Sequence, residues 1–117
     1  MSEAQFNIII HAPVRLRICG LLHQADQLDF AVLRDALEIS DATLSKHTKV
    51  LTSAGYVSSG KAASLDRRDA RQITWLSLTR AGRSAFDGHV TALQKIAGSS
   101  SGQAVTSQAE PDQTEDE

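Results

Sequence analysis

Residues 41–54 place Ala42, Ser45, Lys46, Lys49 and Ser53 along one arc of a helix, with Thr43 and Val50 at its edge, if successive side chains turn by about 100°. The chemistry of that arc is hydrogen bonding to a polyanion. Hydroxyls donate to phosphate or to several base edges, and an ammonium group can reach guanine O6 and N7. Thr43, Ser45 and Lys46 are the candidate base-edge residues, with Ala42 small enough to let the backbone approach closely. Lys49 lies further along and suits phosphate, which positions a protein without specifying sequence. His47 falls on the flank of the inward side, where packing, phosphate contact and base reading all remain open. A second basic cluster follows in the stretch 60–71, with Lys61, Arg67, Arg68 and Arg71 beside Asp69. Arginines there suit a backbone or a narrow minor groove, and Asp69 can orient Arg71 by a charge-assisted bond.

The charge distribution agrees with a polyanion partner. The net charge of −2 hides an asymmetry: residues 42–83 hold eight Lys and Arg against two Asp, a net of +6, whereas residues 98–117 hold five acids and no Lys or Arg. That terminal stretch is rich in Ser, Gln and Gly, has a single Val and no aromatic residue, and is expected to be a disordered acidic tail. Residues 1–97 then form one domain.

Positioning the two basic clusters requires a scaffold. Pro13 to Gln24 reads as a helix with Val14, Ile18, Leu21 and Leu22 on one side, and with Leu16 and Cys19 on another. Ala31 to Glu38 reads as a short second helix capped by Asp29, with room for a short strand over Leu28–Phe30 just before it. Ile39-Ser40 makes a tight link to helix 41–54, whose inward side carries Leu44 and Leu51 and whose stop is Gly55. "YVSSG" and "QITWLSLT" read as two strands joined by the long basic loop 60–71. Thr79 can cap a last helix, 80–97, with Phe86, Val90, Leu93 and Ala97 in a stripe and Ile96 and Gly82 beside it. The expected fold is mainly α with a small β-hairpin, ordered α-α-α-β-β-α. Those are the elements of a winged helix-turn-helix, which sets its second helix in a major groove.

Three stretches carry a family resemblance: "HAPVRLRICGLL" (11–22), "LSKHTKVLTSAGYV" (44–57) and "DRRDARQITWLSLTRAGR" (66–83). In that order the chain resembles compact winged-helix transcriptional regulators of the MarR and ArsR type. The resemblance covers about residues 8–97. It implies a double-stranded-DNA-binding regulator, a dimeric repressor in the simplest case. Two positions could supply the family's Asp-x-Arg wing pair, Asp66/Arg68 and Asp69/Arg71, the second being nearer the strand. Thr48 stands where the family commonly has Leu. The resemblance also implies a homodimer, for which Leu16, Phe86, Val90, Leu93 and Ile96 are the candidate contacts. No effector is legible.

Other classes find less support. There is no Gly-rich phosphate loop, nucleophile elbow or apolar pair of acids for an enzyme. His11, His23, His47 and His89 lack metal-ligand spacing, so neither metal nor cofactor is expected. A lone cysteine, Cys19, excludes an intrachain disulfide and reads as a small core residue. No apolar run nears the ~18 residues that span a bilayer, and a cytoplasmic protein is expected. A protein-interaction adaptor would need an apolar outward face on helix 41–54, and a nonspecific DNA binder would show no preference among duplexes.

Overall fold

A computed structural model describes residues 3–63 and 72–98 of the chain. The elements run α1 (Ile8–His11), α2 (Pro13–His23), β1 (Leu28–Asp29), α3 (Phe30–Leu37), α4 (Asp41–Ser53), β2 (Val57–Ala63), β3 (Gln72–Leu78) and α5 (Arg80–Ala97). This is the anticipated winged-helix order, with the short strand before the second helix and one unanticipated turn of helix, α1. The wing candidates Arg67, Arg68, Asp69 and Arg71 and the acidic stretch 99–117 lie outside the described residues.

Local chemistry sets the boundaries. Asp29 accepts from the Ala31 N–H at 2.7 Å, Ser40 Oγ from the Thr43 N–H at 3.1 Å, and Thr79 Oγ1 from the Gly82 N–H at 2.9 Å. Each satisfies an amide left over at a helix start. Helix α3 ends with Glu38 in the left-handed region (φ 57°). The Glu38 N–H donates to Asp35 O and the Ile39 N–H to Arg34 O, at 3.2 and 3.3 Å. That reverse turn joins the two helices of the helix-turn-helix, and it puts a Cβ where glycine is favoured. Glu38→Gly is therefore expected to stabilise the fold by about 1 kcal/mol. A midpoint of chemical denaturation at or below that of the natural protein would show that the turn carries no such cost. Arg34 also spans the turn, donating to Asp41 at 2.8 Å and to Asp35 at 2.9 Å. These groups are well solvated, so they fix geometry more than they add stability.

The sheet is antiparallel in the order β1-β3-β2. Its register pairs Leu28 with Leu76, Val57 with Leu78, and Lys61 with Thr74. Strand β2 thus continues to Ala63, and the loop expected over 60–71 is shorter: Gly60 to Ala63 find ladder partners in β3 and are strand. One core joins every layer, with Ile10 from α1, Ile18, Cys19 and Leu22 from α2, Leu33 and Leu37 from α3, Leu44 and Leu51 from α4, and Val57, Leu76 and Leu78 from the sheet.

Helix α5 corrects one expectation. Its buried side is Gly82, Gly88, His89 and Ala92, with Ala85 and Phe86 partly buried against the core. The stripe Phe86–Val90–Leu93–Ala97 is thus rotated from the buried side: Val90 and Leu93 are half-buried, and Ile96 and Ala97 exposed. The physical reason lies at two residues. A Cβ on Gly82 would stand 2.0 Å from the Tyr56 carbonyl oxygen, so only glycine lets the helix lie this close. His89 is fully buried because partners far away in the chain satisfy both ring nitrogens.

Candidate nucleic-acid interface

Helix α4 has two faces set by its sequence. Leu44, Thr48 and Leu51 are buried, and Ala42, Ser45, Lys46 and Lys49 are exposed together on the other side. Thr48, in the position where Leu would be usual, stays in the core because its hydroxyl donates to Ser45 O within the same helix at 3.1 Å. Thr43 is half-buried and its Oγ1 accepts from Ser40 Oγ at 2.9 Å, which leaves its own hydroxyl proton to donate outward.

His47 is half-buried and faces α2. Its Nδ1 lies 3.2 Å from Arg15 Nη1. Arginine can only donate, so Nδ1 accepts and the neutral ring carries its proton on Nε2. Burial, then the Arg15 and Lys46 charges, hold His47 below the ordinary histidine range. At neutral pH it offers an N–H donor rather than a charge.

Arg15 and two strand residues are functional candidates that the sequence did not single out. Arg15 also donates through Nε to Ile9 O at 2.6 Å, which joins α1, α2 and α4. Ser59 and Thr74 face α4 across an open cleft of about 550 Å³, whose walls carry Lys49 and Lys61 and whose floor is Phe30 and Leu76. Strand alternation held the signal. Val57, Ser59 and Lys61 share a face, as do their partners Leu78, Leu76 and Thr74. The face that begins in the core thus turns polar and basic as it passes over α4. Thr52 also lines this cleft, but its hydroxyl proton is committed to Thr48 O at 2.8 Å. The donors available to a phosphate there are Ser45, Ser59, Thr74 and the two lysines.

The candidate dimer contacts differ in exposure, with Val90 and Leu93 half-buried. Leu16 and Phe86 are partly buried against their own core, and Ile96 is 65% exposed. Burial pushes the Cys19 thiol up to about 11, against a smaller opposing pull from Arg15, so it stays protonated and unreactive. Among the described residues no group of three or more His, Cys, Asp and Glu could hold a metal ion. No helix there is long and apolar enough to cross a membrane.

Comparison with known proteins agrees with this geometry. A family model described as a winged helix DNA-binding domain matches residues 14–97. A protein of Methanocaldococcus jannaschii, itself described as uncharacterized, is 29% identical over 82 residues, which is 70% of this chain and 85% of that protein. The transcriptional regulator homologue of Pyrococcus horikoshii OT3 has a similar fold, with a TM-score of 0.70, 24% identity, and coverage of 78% of this chain and 86% of that one. ZitR of Lactococcus lactis is also similar, with a TM-score of 0.58, 25% identity, and coverage of 75% of this chain and 56% of that one.

Proposed function

Because the chain belongs to the winged helix DNA-binding domain family, with neighbours among the MarR-type transcriptional regulators, we propose that it is a sequence-specific regulator acting as a dimeric repressor. The observation that carries this reading is the outward arc of α4. It is the second helix of a tight helix-turn-helix, and Ala42, Ser45, Lys46 and Lys49 stand exposed on it together. Helix α4 enters the major groove. Thr43, Ser45 and Lys46 read base edges, His47 adds its Nε2–H at the flank, and Lys49 and Lys61 hold the backbone that passes between α4 and the sheet. Arg67, Arg68 and Arg71, with Asp69 orienting the last, extend that contact along the backbone or into the minor groove. Ile96, with Leu93 and Val90 half-buried beside it, supplies the apolar end of α5 for a second copy, with Leu16 and Phe86 behind that contact. Two copies then meet an inverted repeat with half-sites ~10 bp apart. Such a complex represses by occluding polymerase.

The test is fluorescence anisotropy with the DNA upstream of the protein's own gene and a scrambled duplex, over a salt series. Two chains per duplex, a steep salt slope and at least ~10³-fold preference are the expected result. Equal affinity for both duplexes would make the protein a nonspecific binder. No binding at low salt would favour an adaptor that uses the fold for protein contacts.

A further inference from the structure

A second polar cluster lies where the N-terminal segment meets α5. The N-terminal segment Glu3–His11 lies along α5: the Gln5 N–H donates to Gly88 O at 2.9 Å, and a Cβ on Gly88 would stand 2.8 Å from Glu3 O. At the centre is His89, with 0% of its surface exposed. Its Nδ1 faces the Asn7 backbone N–H at 2.9 Å, and its Nε2 faces His11 Nδ1 at 3.2 Å. Phe6 covers the pair, its ring 4.7 Å from His11 and 4.8 Å from His89. Asn7 is committed three ways: its N–H to His89, its Oδ1 to the first amides of α1, and its Nδ2 to the Tyr56 hydroxyl at 2.8 Å.

These contacts admit one protonation pattern. A backbone N–H can only donate, so His89 Nδ1 must accept. The neutral ring then carries its proton on Nε2 and donates to His11 Nδ1, which must accept in turn. A proton added at His89 Nδ1 would set two donors against each other at the Asn7 contact. A proton added at His11 Nδ1 would do the same between the rings. We propose that the His11–His89 pair is a proton-sensitive latch that holds the segment 3–11 on α5 when both rings are neutral and releases it on acidification.

Among the described residues no carboxylate is bonded to either ring. From α1 the titratable neighbour is His11. From the turn before β2 it is Tyr56, whose hydroxyl is engaged with Asn7. On α5 itself Asp87 is bonded to His23 of α2 at 2.9 Å. Arg15 of α2 is committed to Ile9 O and to His47 of α4, and Glu3 meets α5 through its backbone oxygen. Burial, then the His11 charge, hold His89 below the ordinary histidine range. The folded state therefore favours the neutral ring. The latch's contribution is complete above the unfolded value of about 6.5 and is lost as pH falls below it.

Release reaches further than the segment itself. Ile9 O is the anchor of Arg15, and Arg15 meets His47 on the flank of α4. Loss of α1 from its seat would free Arg15 and loosen that flank. The latch stands on the contacts above; its effect on DNA rests on the reading of α4 as the base-reading helix.

Hydrogen exchange on the full chain at pH 7.5 and 5.5, corrected for intrinsic rates, tests the latch. Protection of amides 5–11 is expected to fall several-fold, up to about tenfold per ring, more than that of Leu33 and Leu37. His89→Asn keeps an oxygen acceptor for the Asn7 N–H but takes no proton, and should show no such difference. Unchanged protection in the natural protein, or the same loss in His89→Asn, would overturn the latch. Should that variant not fold, the His89 ring titration followed by NMR decides. Its midpoint must coincide with loss of the Asn7 amide protection, and a ring that titrates with that amide still protected also overturns the latch. DNA affinity should fall over the same pH interval. Release with unchanged affinity overturns the coupling to α4, whereas failure to bind DNA at either pH overturns the α4 reading and leaves the exchange result to judge the latch.

Discussion

Gly82→Ala is expected to destabilise the protein by at least about 3 kcal/mol, the upper end of what overpacking usually costs. The added Cβ would lie 2.0 Å from Tyr56 O, 2.8 Å from Tyr56 C and 3.0 Å from Tyr56 Cα, all of them backbone atoms that cannot rotate away. The same junction holds the start of α5. The Thr79 N–H donates to Tyr56 O at 3.0 Å, and Thr79 Oγ1 donates to Gly55 O at 2.6 Å. Moving α5 outward to make room strains both bonds and withdraws Phe86 and His89 from their seats. Gly55 cannot shift freely to compensate, since it already turns the chain with φ 82°. Thermal unfolding should show a midpoint lower by roughly 12 °C or more. Gly60→Ala, at a position with nothing within 4 Å of the added atom, is the control and should leave the midpoint almost unchanged. A Gly82→Ala midpoint within two or three degrees of the natural one would mean that α5 does not approach the turn this closely.

Where one residue and its near neighbours decide the structure, the sequence was legible. Asp29 and Thr79 each cap a helix through an amide two or three residues ahead, and Gly55 ends α4 through its own backbone angle. The division of α4 into a buried arc and a polar arc follows from its period alone. Contacts between distant residues were not legible. Asn7 meets His89 across 82 positions, and nothing in a short apolar run after an asparagine announces a capped turn. His89 is a polar residue on a helix, and its full burial depends on two partners that only the fold supplies. The same holds for Lys61. It looked like part of an irregular loop, and only the pairing with Thr74 shows it to be a strand residue facing the cleft beside α4. Ser59 and Thr74 lay within the strands read from the sequence, but only the packing of the sheet shows that their face looks onto the cleft beside α4.

The double substitution Lys46→Glu/Lys49→Glu is expected to reduce specific duplex affinity on the order of 10³-fold, with the fold intact. Both side chains are exposed and neither is in an ion pair among the described residues. Glu is about as good a helix former as Lys, so the melting temperature should move by no more than a few degrees. The two lysines act differently on DNA. Lys46 stands beside Ser45 near the start of the outward arc, where a base contact is worth about 1–3 kcal/mol. Lys49 lines the cleft between α4 and the strands, where a phosphate contact releases counterions. Losing the Lys49 phosphate contact should flatten the salt slope by about 1, and the new carboxylates add repulsion on top of that loss. The single changes separate the roles. Lys46→Ala should relax preference at one base position, whereas Arg68→Ala or Arg71→Ala, if those side chains touch phosphate only, should weaken binding to every duplex alike. Lys95→Glu, exposed in the last turn of α5, controls for net charge and should change affinity little. If the α4 double variant still bound its preferred duplex within threefold of the natural protein, α4 would not be the helix that enters the groove. If Lys95→Glu matched it, long-range charge rather than contact would explain the binding.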